Sequence, residues 1–164
     1  MKHTLVAIVE NEPGVLNRVV SLFRRRNFNI DSLTVGRTEN PSISRMTIVL
    51  DSNVTRVDQV QKNLYKLINV IQVCEVTHQP FISRDMALIK VRASGQAVWL
   101  ASQFGARILD YSDEMMILEL SDEEARVEQF IEALRPYGII ELVRTGVVAM
   151  GRGKHIVQPT PHLA

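Results

Sequence analysis

A chain of 164 residues can bury one ordinary core or two small ones, and 46% hydrophobic with 23% charged residues excludes a disordered tail. Its 19 basic and 18 acidic groups leave a formal charge of +1, so no global field draws it to nucleic acid or to an anionic membrane, and partners must be recognised locally. Cys74 is the single cysteine, so no intrachain disulfide can form and a reducing cytoplasm is the expected compartment.

The apolar run LVAIV at 5–9 is too short for a signal core or a membrane span. Apolar on both alternating faces, it predicts a central strand with helices on one side and a second cover, such as a partner, on the other. From Gly14 onward Val15, Leu16, Val19, Val20 and Phe23 recur at helical spacing, which predicts a first helix closing near Arg26 and Asn27. Asn is the best substitute for glycine in the left-handed conformation that ends helices, and the preceding arginines complement the helix carboxyl end. NIDSLTVGRT at 29–38 and SRMTIVL at 44–50 predict a hairpin. Thr55 with Asp58 suggests a capping box for a second helix, with Val57, Val60, Leu64 and Leu67 inside, and VIQVCEVT at 70–77 a fourth strand.

After His78-Gln79-Pro80 the pattern restarts: a strand at 86–93, a short helix marked by Ala97, Val98, Ala101 and Phe104, then a hairpin at 106–112 and 115–121. Ser121 with Glu124 predicts a capped helix burying Val127, Phe130, Ile131 and Leu134, and IIELVRT at 139–145 closes the unit. The same six-element order thus occurs twice, offset by roughly 80 residues. The expected fold is α+β, two tandem ferredoxin-like βαββαβ modules over 1–78 and 84–147, with a flexible tail at 148–164 where glycines, prolines and mixed polar residues gather.

The stretch VENEPGVLNRV joins the first strand to the first helix through acid, amide, proline and glycine. A helix start leaves backbone N–H groups unpaired and partly positive, so it accepts a carboxylate or phosphate. Pro13 has no N–H to lose in a first helical turn, Gly14 removes the side chain that would screen the backbone, and Asn11 adds an amide suited to an amino acid's ammonium or carboxylate. The same residues also make tight turns that bind nothing. Asn29, at the start of what would be an edge strand, supplies a second amide, and side-by-side pairing of two copies would bring it to the Asn11–Gly14 loop of the other.

ENEPGVLNRV, then LFRRRNFNIDSLTVG, then SRMTIVL resemble the amino-terminal ACT domain of the regulatory, small subunit of acetolactate synthase, over most of residues 3–77. That family typically reads E-N-x-x-G-x-L-x-R-V, R-G-[FY]-N-I-x-S-L-x-V and S-R-M-T-I, with Asn27 here in place of a usual glycine. The segments at 144–148 and 151–153 extend the likeness more weakly. The resemblance implies a homodimer that binds valine or another branched-chain amino acid as feedback inhibitor, and a large catalytic subunit that this chain activates. Carried over, Asn11 and Asn29 would hold the polar head, the backbone at Gly14, Val15 and Leu16 the carboxylate, and Ile30 part of the apolar wall. It implies no catalytic residue and no cofactor in this chain, with thiamine diphosphate, Mg and FAD belonging to the large subunit. A stand-alone amino-acid-sensing ACT protein with another target is the alternative.

His3, His78, His155 and His162 show no metal-ligand spacing, so no metal site is expected. Cys74 suits a strand core. Arg24–Arg26 could suggest nucleic acid, but LVAIV and RMTIVL lack the aromatics on which bases stack, so no nucleic-acid partner is expected.

Overall fold

A computed structural model describes residues 1–157. Contacts divide the chain into two compact units, Ser83–Val147 and a first unit made of Met1–Ile82 with the described residues from Val148 on. Among the described residues no helix is long and apolar enough to cross a membrane.

The first unit runs β1 (Lys2–Glu10), α1 (Val15–Arg25), β2 (Ile30–Arg37), β3 (Ile43–Asp51), α2 (Val57–Leu64) and β4 (Val70–Glu75), in an antiparallel sheet of order β2-β3-β1-β4. On one face of β1, Leu5, Ala7 and Val9 meet Val15, Val19, Leu22 and Phe23 of α1 and Val60 and Leu64 of α2. The opposite face carries Val6 and Ile8, also buried. Their cover is supplied in part by the chain's own Ala149 and Val157.

That cover corrects the expected flexible tail at 148–164. Residues Val148–Gly151 form β9, which pairs with β5 (Phe81–Arg92), the strand whose first residues Phe81 and Ile82 belong to the same unit. Arg45 of β3 donates to the carbonyls of Ala149, at 2.6 Å, and Val157, at 3.4 Å. Burial lowers the pKa of this guanidinium, opposed by Cys74 and Glu39, and an arginine keeps its charge regardless. Gly151 is needed for close approach, since a Cβ there would lie 2.0 Å from the His155 carbonyl oxygen. The glycines that suggested disorder therefore permit a folded-back segment; the rest of the expected tail, 158–164, lies outside the described residues.

The end of α1 is as anticipated. Asn27, at φ 54°, is the sole non-glycine among the described residues with positive φ. Phe28 N–H donates to Phe23 O at 2.9 Å and Asn27 N–H to Arg24 O at 3.1 Å, the paired bonds of a Schellman closure, with the Phe23 and Phe28 rings in contact. The start of α2 is not. Thr55 makes no cap, because its hydroxyl accepts the backbone N–H of Asn29 at 3.0 Å instead.

The second unit repeats the order: β5 (Phe81–Arg92), α3 (Gly95–Phe104), β6 (Arg107–Tyr111), β7 (Met115–Asp122), α4 (Glu124–Leu134) and β8 (Ile139–Arg144), arranged β6-β7-β5-β8. Val127, Phe130, Ile131 and Leu134 are buried against Ala87, Ile89 and Val91. Trp99 of α3 faces outward. Ser121 stays in the strand ladder opposite Met86 rather than capping α4, because β7 continues to Asp122. Asp85 is 1% exposed and takes Arg144 Nε at 2.9 Å, while Glu128 takes Arg144 Nη1 at 2.7 Å. Burial works to lower the Arg144 pKa, but its bonds to both carboxylates outweigh it and the pKa is raised.

Candidate functional site

The loop between β1 and α1 is built on a tight corner. Val15 N–H donates to Glu12 O at 3.3 Å, and Gly14 stands at φ 85°, ψ −6°, the third position of a turn that requires positive φ. Pro13 and Gly14 therefore form this turn, which has the type II pattern, and precede the helix instead of entering its first turn. Gly14 is the helix N-cap with no side-chain cap bond. The first regular helical bond is Arg18 N–H to Gly14 O at 3.0 Å. The amides of Leu16 and Asn17, second and third in the helix, have no carbonyl one turn earlier within it to reach. A Cβ built on Gly14 meets nothing within 4 Å, so the space beside this corner is open.

Asn11 is tied down. Its side-chain Nδ2 donates to Pro41 O at 2.8 Å and its backbone N–H to Ser42 O at 2.8 Å, although the residue as a whole is exposed. Below it, Asn69 links the strand to the helix: its amide donates to Glu10 Oε2 at 2.8 Å and its Oδ1 accepts from Arg18. No spacing in the sequence relates the three members of this Glu10–Asn69–Arg18 chain. Its only advance signal is the regular placement of Arg18 one turn beyond Gly14.

The apolar stripe of α1 is wider than its own core uses. Val15, Val19, Leu22 and Phe23 are buried, whereas Leu16 and Val20, one turn apart, remain 46% and 47% exposed. Ile30 packs partly into its own core rather than projecting as a free wall. Asn29 is exposed, and its main chain is fixed by Thr55.

Within one chain the two asparagines do not converge. Asn11 follows Glu10, which pairs with Ile43; Asn29 precedes Ile30, which pairs with Leu50. Those two rungs lie at opposite ends of β3, about 24 Å apart along the strand. The strand that begins directly after Asn29, β2, is an edge of its sheet. A separate concavity of about 640 Å³ lies elsewhere in the first unit, lined by Ile8, Ile43, Arg45 and residues of the folded-back segment, and it includes none of the seven expected site residues.

His3 and His78, unrelated by spacing, both contact Glu75. His155 is exposed, and His162 lies outside the described residues.

Comparison with known proteins follows the division into modules. Residues 5–72 match the family described as AHAS small subunit-like ACT domain, and residues 84–153 match the small subunit of acetolactate synthase. The chain is 46% identical to the acetolactate synthase small subunit of Mycobacterium leprae, over 92% of each chain. It is 45% identical to the one from Mycolicibacterium smegmatis, covering 92% of this chain and 91% of the relative. The crystal structure of an acetolactate synthase small subunit from Thermotoga maritima superposes with a TM-score of 0.85 at 38% identity, covering 93% of this chain and 98% of that one.

Proposed function

The chain belongs to the acetolactate synthase small-subunit family, and from that premise we propose that it is a non-catalytic regulator of a large catalytic subunit, acting in the cytoplasm as a homodimer. Its first module binds valine or another branched-chain amino acid where two copies meet, and the bound amino acid inhibits the large subunit that this chain otherwise activates. The observation that carries this reading is the open start of α1, where Gly14 gives access to amides that no side chain caps. A carboxylate there gains from both the free N–H groups and the helix dipole.

The strand register supports a shared site. Asn29 can reach an Asn11 loop only on a second copy, and the unpaired edge of β2 offers the hydrogen bonds for such a pairing. Leu16 and Val20, exposed beside the loop, supply apolar surface for a partner or for a branched side chain. The energy required is modest. Responding near 0.1 mM needs about −5.5 kcal/mol, roughly −0.7 kcal/mol per non-hydrogen atom of valine, within the ceiling of about −1.5 for very small ligands.

Binding inhibits if the amino acid favours the dimer arrangement for which the inactive state of the large subunit has the higher affinity. Calorimetric titration of the purified chain with valine, leucine and isoleucine, followed by acetolactate assays with the large subunit, tests the proposal. Saturable binding and inhibition that requires this chain are expected. No binding of any of the three, or large-subunit activity indifferent to the chain, would overturn it.

A further inference from the structure

At the far end of β1 from the loop, three side chains converge that no part of the proposed regulation uses. His3 lies on β1, Glu75 ends β4, and His78 follows in the turn before β5. The β1–β4 ladder puts Leu5 opposite Glu75. Beyond that rung, Val76 N–H donates to Thr4 O at 3.0 Å, Thr4 N–H to Thr77 Oγ1 at 2.9 Å, and Gln79 N–H to Val76 O at 3.2 Å. This bonded turn carries His78 back over the strand end. His3 Nδ1 and His78 Nε2 then address the same oxygen, Glu75 Oε1, His78 from 3.4 Å. The two imidazoles meet edge to face with centroids 5.7 Å apart, and the three donor atoms lie within 4.8 Å of one another.

We propose that His3, Glu75 and His78 form a binding site for a divalent transition cation of the zinc class. One imidazole would suffice to satisfy a single carboxylate oxygen; the second is surplus to an ion pair and is what a metal centre requires. Bond lengths of about 2.0–2.2 Å to nitrogen and oxygen place tetrahedral ligands roughly 3.3–3.6 Å apart, so only small movements gather these atoms around one ion. Two imidazoles with one carboxylate suit zinc, cobalt or nickel; calcium and magnesium want oxygen-rich shells. The side chains of His3 and Glu75 are largely buried and held on paired strands, whereas His78 is 67% exposed, which gives a cation its entry path and leaves a fourth position for water. Once bound, the ion would clip the start of β1 to the turn after β4.

Titration of the untagged, chelator-treated chain with zinc chloride by calorimetry, and with cobalt chloride by visible absorption, tests the site. The expected result is one equivalent per chain, with a tetrahedral cobalt spectrum. His78→Ala, at an exposed turn, should fold as the parent does and bind zinc at least about tenfold more weakly. His3→Gln, which keeps a hydrogen-bonding group beside Glu75, should do the same. A parent chain that takes up no zinc would overturn the proposal, and so would uptake unchanged in both variants, which would place the ion on other residues.

Discussion

The two modules share one topology but begin their first helices in opposite ways. In the first, β1 leads to α1 through a turn whose N-cap is Gly14, left-handed and without a side chain to offer. In the second, β5 leads to α3 through Ser94, whose hydroxyl accepts the N–H of Ala97 at 3.1 Å. One helix start is closed by its own residue and the other has no side-chain cap. The sheets differ in the same sense: β1 is buried on both faces, whereas β5 alternates between buried and half-buried positions. A duplicated architecture thus leaves room for separate tasks, because a few residues at a corner can differ while the strand order stays the same.

The largest expected effect tests whether the two modules are energetically distinct. Arg144→Met would strand Asp85 as a buried, uncompensated carboxylate and should cost the second module about 3 kcal/mol, seen as an early transition in thermal or urea unfolding. The first module should still bind amino acid under native conditions; its loss alongside would show that the two melt as one. Next comes closing the open corner. Gly14→Asp places a carboxylate against the α1 amides and should weaken valine binding at least a hundredfold, about 2.7 kcal/mol, while the left-handed backbone costs only about 1 kcal/mol of stability. Valine inhibition retained in this variant would remove the site from this loop. The smallest is the reciprocal change: Ser94→Ala opens the second corner, should cost about 1 kcal/mol in denaturant midpoint analysis, and should create no amino-acid response.

Local chemistry was legible where one residue decides it. Asn27 announces its left-handed closure because few residues tolerate that conformation, and the buried stripe of α4 announces itself by spacing. The two capping boxes misled because the hydroxyl's partner depends on tertiary context: Thr55 prefers the Asn29 backbone, and Ser121 remains in a strand. Leu16 and Val20 share the apolar spacing of buried neighbours, and periodicity cannot tell one's own core from a surface left for a partner. Of the expected site, the corner at Gly14 was readable, since proline and glycine at adjacent positions define the turn. The Glu10–Asn69–Arg18 chain and the His3–Glu75–His78 cluster were not, because strand pairing joins residues far apart in sequence. The folded-back segment was hidden for a different reason: its buried residues Ala149 and Val157 adjoin Val148, Met150 and Ile156, equally apolar yet exposed, so no alternation of polarity marks which ones face inward.

That segment has a consequence for how the protein is made. Arg45 is bonded to carbonyls 104 and 112 positions further along the chain, so the outer face of the earlier module waits, during synthesis, for residues that leave the ribosome after the whole of the later module. Val6 and Ile8 lack that part of their cover throughout the interval. Maturation therefore runs against the order of translation: the half made second can be completed first.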